Sequence, residues 1–305
     1  MTTAVSRANW QIHFCVVLWG FTAILGKLIS LGTLSLVWWR MVLVTGALVL
    51  VPRFWRGLSA LSPRLIATYA GIGMVVSLHW LAFYGSIRLA NASVAATCLA
   101  MSPVFLAFIE PFMTGRRFEM RELLFGVACI PGVALVVGGT PTEMRLGIVV
   151  GVLGALLVSI FASLNKRFIG NSDALTVTGL EIGAGLLLIT AISTVISPGA
   201  VFVLPSVRDA WLLTVLAMGC TLLPFALSLS ALRHVSAFST AIALNMEPVY
   251  AIVMAIVLLG EQRELSPSFY LGVAIVVSAV FLHPWMVRTT SAAVTADPPD
   301  LGKSG

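Results

Sequence analysis

Apolar residues run through this chain in blocks of about twenty, with polar residues gathered in the short gaps between them. Ten blocks stand out, at 11–30, 34–52, 65–87, 91–114, 121–138, 147–168, 174–197, 209–231, 236–259 and 267–286. A helix rises about 1.5 Å per residue, so about 20 apolar residues cross a hydrocarbon layer of about 30 Å. The pattern predicts an all-α integral membrane protein of ten transmembrane helices. The stretch 236–261 departs most from plain apolar character, because Asn245, Glu247 and Pro248 lie near its middle. A carboxylate at that depth costs roughly 2.5–3.5 kcal/mol on insertion scales, so it should face protein or water. Pro248 removes a backbone hydrogen bond one turn earlier, near Leu244. Polar groups on an interrupted helix at mid-membrane depth point to a transporter binding site.

That stretch has an echo. Met101-Ser102-Pro103-Val104 precedes Met246-Glu247-Pro248-Val249 by the same interval that separates Arg88 from Arg233 and Gly115 from Gly260. The chain reads as two copies of one unit, 1–145 and 146–288, followed by a polar tail, 289–305, expected to be disordered and cytoplasmic. With the N-terminus inside, Arg7, Arg53, Arg56, Arg64, Arg116, Arg117, Arg121, Lys166, Arg167, Arg233, Arg288 and Lys303 fall on the cytoplasmic side. Only Lys27, Arg88, Arg145, Arg208 and Arg263 fall outside, and this bias sets the orientation. Both termini are then cytoplasmic, in a cell (inner) membrane. Two copies of a five-helix unit must be inverted relative to each other, which predicts two inverted repeats around a central cavity.

Composition narrows the classes. The chain is 59% hydrophobic and 10% charged, against about 25% charged residues in soluble domains. Its net charge of +6 sits at the span ends and implies no nucleic acid. Cys15, Cys98, Cys129 and Cys220 lie inside apolar blocks without ligand spacing and read as small buried hydrophobes. No metal or cofactor is expected. Glycines such as Gly71, Gly73, Gly147 and Gly154 fall within hydrophobic helices, where small residues let helices approach. No phosphate loop with a following lysine is present, so no ATP site is indicated.

Three passages carry a resemblance: Leu18-Trp19-Gly20 with Trp39-Arg40-Met41; Asn91-Ala92-Ser93 with Ser102-Pro103; and Glu247-Pro248-Val249 through Leu259-Gly260-Glu261. In this order and spacing the chain resembles the drug/metabolite transporter (DMT) superfamily, in its EamA-type ten-helix branch, over about residues 10–286. The resemblance implies an inverted-repeat carrier with a central cavity, in a branch where exporters of amino acids and other small metabolites are common. Trp19, Arg40 and Pro248 stand where the family pattern puts them. Ser102 replaces an acidic residue often found in the repeat motif, and no role is transferred to the neighbouring Glu110-Pro111.

The candidate substrate-binding residues are His79, Trp80, Phe83, Tyr84, Met101 and Asn245. His79 lies about nine residues from the outer end of its block. There an imidazole can hydrogen-bond a carboxylate or amine, and flanking aromatics can hold an aromatic side chain or an ammonium; a structural histidine bonded to a neighbouring helix is the other reading. Trp19, Arg40, Glu181, Glu247 and Pro248 are the candidate gating or structural residues. Arg40 and Glu181 align across the repeats on opposite sides of the membrane, so a direct pair is not expected. Glu247 reads equally as a proton carrier or ammonium partner and as a cap for amides freed near Pro248. The expected function is alternating-access export of small amphipathic metabolites, zwitterionic amino acids including aromatic ones, by a monomer in the bilayer. Carriers of other metabolites or drugs, such as nucleobases or sugar derivatives, remain the alternative, with a scaffold or channel subunit behind them. Sugar phosphates need several cations in the cavity, and Arg40 is the one Lys or Arg well inside a span. An enzyme is not expected: His79 has no nearby G-x-S-x-G, and no paired His/Glu metal motif occurs.

Overall fold

The fold comes from a computed structural model, which describes residues 3–115, 120–168, 172–224, 227 and 244–279. These residues form helices and short turns, with no strand among them. In order the helices are α1 (Thr3–Leu28), α2 (Thr33–Val49), α3 (Pro52–Ser59), α4 (Pro63–Leu89), α5 (Ala92–Leu99), α6 (Ser102–Thr114), α7 (Met120–Gly138), α8 (Arg145–Phe168), α9 (Ala174–Ile196), α10 (Val207–Thr214), α11 (Glu247–Met254) and α12 (Pro267–Ala279). α10 and α11 continue as π-helical segments, Val215–Leu222 and Ala255–Leu259. Five described spans are long and apolar enough to cross a membrane, and α2 with α3 makes a sixth if that bent pair is one span. The predicted blocks 209–231, 236–259 and 267–286, like the tail, extend beyond the described residues.

Prolines set three of the breaks. α2 stops at Val49, and α3 leaves it at 84°. Val51, ahead of Pro52, is extended (φ −89°, ψ 116°), as the clash with a proline ring requires. The block 34–52 is therefore shorter than its hydrophobicity suggests, and α3 was not predicted. The block 91–114 is interrupted between Leu99 and Ser102, where Pro103 enters the first turn of α6. Proline has no N–H for the carbonyl four residues back, and Ser102 Oγ donates to that Leu99 oxygen instead (2.7 Å). Pro248 likewise falls in the first turn of α11. It starts a helix there, in the position where a missing N–H is least costly.

The two echoed passages share backbone geometry. Met101 (φ −81°, ψ −8°) precedes α6, and Met246 (φ −78°, ψ −14°) precedes α11. Gly115 (φ 74°) ends the first segment and Gly260 (φ 72°) the second. Both are left-handed, a conformation glycine adopts without a Cβ penalty.

The core is built on close helix approach. α4 packs most extensively on α8 and α9, α2 on α9, and α1 on α11. A Cβ on Gly73 would collide with the Glu181 backbone, and one on Gly20 would lie 3.1 Å from Ala251 N. Large hydrophobics such as Leu187, Val195 and Trp211 are exposed on the outer surface, as lipid-facing positions are. A buried polar lock joins two of the passages singled out in the sequence. Glu261 is fully buried and accepts from the amides of Ala92 (2.9 Å) and Ser93 (2.7 Å) at the start of α5. Asn91 caps the same helix through Val94 N (2.9 Å), and its amide reaches Glu264 (3.0 Å). A carboxylate at a helix N-terminus meets free N–H groups and the positive end of the dipole.

Candidate functional site

Arg40 is buried on α2, at 5% exposure. An arginine so placed on a spanning helix can snorkel to the interface or find partners inside. This one stays inside. Its Nη1 donates to Tyr84 OH (2.9 Å), while Nε and Nη2 both donate to Thr221 Oγ1 (3.1 and 2.9 Å). The guanidinium carbon lies 3.7 Å from the centroid of the Trp80 ring, a cation–π contact. Three helices thus converge on one cation: α2 supplies it, α4 supplies Trp80 and Tyr84 one turn apart, and the π-helical segment supplies Thr221. Thr221 Oγ1 itself donates to Leu216 O five residues back (2.8 Å), a bond that fits the wider π turn. Gly26 makes room on α1, since a Cβ there would lie 2.5 Å from the Tyr84 ring.

A guanidinium has five N–H groups. Three are committed among the described residues, all to neutral hydroxyls, and the other two, on the terminal nitrogens, have no partner there. Glu247 opens α11, and no ion pair joins it to Arg40 among the described residues. The cluster therefore holds a buried cation beside an aromatic wall, with donors unused among the described residues. Such a set can receive a small anionic group.

His79 lies one turn before Phe83 on α4, and the two rings stack at 6.1 Å. Its Nδ1 is 2.8 Å from Gly154 O on α8. A carbonyl only accepts, so Nδ1 carries the proton and Nε2 is left as an acceptor. Phe83 meets Tyr84 edge to face at 5.4 Å. Of the candidate binding residues, the structure thus gathers Trp80 and Tyr84 around Arg40, with Phe83 and His79 continuing along α4. Met101 lies elsewhere, lining a cavity of about 10 Å³ with Thr97, Cys98, Val133, Val136, Ile148 and Val276. That volume holds about one water. Asn245 is half-buried next to the α11 start, with no hydrogen bond to the Arg40 cluster among the described residues. Trp19 packs with Ile12, Val16, Met246 and Tyr250 between α1 and α11. A larger cleft of about 420 Å³ opens nearby between Trp10, His13, Phe14, Val17 and Tyr250. Glu181 is buried on α9 with Oε1 unpartnered. Among the described residues no ion pair joins it to Arg40.

Sequence reasoning missed Thr221 and the partners of Glu261. Thr221 is one hydroxyl in an apolar run, and no sequence signal marks the π segment that turns it inward. Asn91 and Glu261 are polar residues at the ends of distant blocks, and nothing in the sequence pattern marks that they meet. Among the described residues, no group of three His, Cys, Asp or Glu is placed to hold a metal.

No curated protein matches the chain. Among solved structures, a crystal structure described only as that of a protein aligns with 93% of this chain and 99% of its own, at 16% identity and a TM-score of 0.59. At that identity the likeness speaks for a shared fold alone. The EamA-like transporter family model matches twice, over residues 8–138 and 145–284. Together the two matches take in most of the chain, and it belongs to the EamA-like transporter family, a family of membrane transporters within the DMT superfamily.

Proposed function

We propose that the chain is an alternating-access exporter of small amphipathic metabolites, above all zwitterionic amino acids and aromatic ones among them. In this reading ten transmembrane helices form two inverted five-helix repeats in the cell (inner) membrane, with both termini cytoplasmic. His79, Trp80, Phe83, Tyr84, Met101 and Asn245 line the substrate route, and Trp19, Arg40, Glu181, Glu247 and Pro248 shape or gate it.

The observation that carries the reading is the Arg40 cluster. A buried guanidinium whose partners among the described residues are hydroxyls, set over the Trp80 ring and not ion-paired there with Glu247, suits a molecule with opposite charges and a flat apolar side chain. A carboxylate could use the two spare N–H groups as a fork, an ammonium could turn toward Glu247, and a ring could lie along Trp80 and Phe83. One fixed cation offsets one anionic charge, so multiply charged solutes would leave charge uncompensated in an apolar route.

A substrate screen in proteoliposomes tests this. Labelled phenylalanine, tryptophan and leucine should enter vesicles holding the protein faster than empty vesicles, while a sugar phosphate should not. Entry of the sugar phosphate without the amino acids would overturn the substrate assignment.

A further inference from the structure

α3 is too short and too polar to cross a membrane, and its 84° turn from α2 lays it along the surface at which α2 ends. One side of it is docked. Phe54 is buried against Gly179, Gly57 abuts Thr176, and Arg53 donates to Asp173 through Nε (3.0 Å) and Nη2 (2.6 Å). These contacts all fall on the first turns of α9, and Asp173 is also its N-cap through Thr176 N (3.1 Å).

The other side is open. At helical spacing Arg56 points away from Phe54, and it is exposed. Trp55 is 53% exposed, its Nε1 held by Val49 O at the end of α2 (2.8 Å). Arg64 follows, exposed in the first turn of α4, where a cation adds to the positive end of that helix's dipole. Neither the Arg56 nor the Arg64 guanidinium has a hydrogen-bond or ion-pair partner among the described residues; only their backbone carbonyls accept side-chain hydrogen bonds, from Ser59 and Thr68. Elsewhere the exposed cations Lys166 and Arg167 do have partners, in Glu110 and Met113 O. No Asp or Glu occurs in the sequence before Glu110, and the acid that packs against α3, Asp173, is taken by Arg53 and the α9 cap.

We propose that Trp55, Arg56 and Arg64 form a docking face for anionic phospholipid headgroups in the leaflet where α2 ends. The charge is complementary, and arginine forks match phosphate oxygens. Tryptophan favours the headgroup level. A headgroup held on the outer side of α3 presses the inner side onto α9, so lipid binding also strengthens the α3–α9 contact.

Lipid retention by the purified full-length protein in detergent tests the proposal without any transport, so its outcome is independent of the substrate assignment. Phosphatidylglycerol should be retained more tightly than phosphatidylcholine. A basic side chain near an anionic surface contributes about 5-fold, so Arg56→Gln with Arg64→Gln should weaken phosphatidylglycerol retention by roughly 25-fold and leave phosphatidylcholine unchanged. Both guanidiniums are exposed and without a partner among the described residues, so the folded yield should hold, and the comparison of lipids on the unaltered protein needs no variant. Equal retention of the two lipids would overturn the proposal, as would an unchanged affinity in the double variant. Displacement of the lipid by inorganic phosphate at similar concentration would make this a free-anion site, not a membrane-docking face.

Discussion

At the scale of single residues, the chemistry concentrates on side chains that would be costly in lipid and are satisfied by one another. Arg40 shows this best. A lysine there keeps the charge but not the planar fork, so it cannot reproduce the bonds to Tyr84 and Thr221 while lying flat over Trp80. Each buried partner left unpaired costs about 1–3 kcal/mol. Arg40→Lys should weaken substrate binding by roughly 5- to 150-fold, measured as the half-saturating concentration in proteoliposome transport. Unchanged affinity would make Arg40 a purely structural cation. His79 allows a finer separation. His79→Asn keeps a donor where Nδ1–H meets Gly154 O but removes Nε2, whereas His79→Ala removes both. If Nε2 meets substrate, both variants should lose affinity by a similar factor, and the alanine should also melt earlier. Full affinity in the asparagine variant would leave His79 as a helix–helix tie.

At the scale of elements, the account rests on how short polar devices join long apolar helices. The α3–α9 clamp is one. Asp173 lies just outside the span, where partial burial raises its pKa but bonds from Thr176 and the adjoining Arg53 outweigh it and hold the carboxyl below its ordinary range. A depressed carboxylate contributes stability above its unfolded pKa and loses it as pH falls through the folded value. This clamp should therefore loosen below about pH 4. Asp173→Ala loses the cap, about 1 kcal/mol, and an exposed ion pair, about 0.2–1 kcal/mol. Asp173→Asn keeps the cap and should cost only the pair, while abolishing that part of the acid sensitivity. Thermal melts across pH distinguish the three proteins. Glu261 is the second device. Glu261→Ala strands two buried amides at the start of α5, so it should cost about 2–6 kcal/mol and sharply reduce folded yield. A yield equal to the unaltered protein would show that α5 does not depend on the lock.

At the scale of the whole molecule, the five described spans were legible as hydrophobic blocks in the sequence. The repeat was legible too, because Met101-Ser102-Pro103 and Met246-Glu247-Pro248 keep both spacing and backbone geometry. α3 was hidden because eight residues with three polar side chains look like a loop until Phe54 finds Gly179. The Arg40 partners were hidden because Thr221 is brought inward by a π segment, which depends on packing and not on local pattern. Trp80 and Tyr84 were readable as a helix face, but their shared guanidinium was not. The proposed inverted topology makes a separate prediction. Single cysteines at Ser59 and Leu301 should be labelled only from the cytoplasmic side and one at Gly32 only from outside, against a low background, since the four native cysteines are buried. Labelling of positions 32 and 59 from one side would rule the arrangement out.

Substrate counterflow tests the central claim most directly. Proteoliposomes preloaded with unlabelled phenylalanine, with no ion gradient, should transiently accumulate labelled phenylalanine from outside, and vesicles carrying Arg40→Lys should do so only at higher external concentration. Counterflow absent for phenylalanine, tryptophan and leucine alike, with folded protein inserted in the vesicles, would contradict an amino-acid carrier built around Arg40.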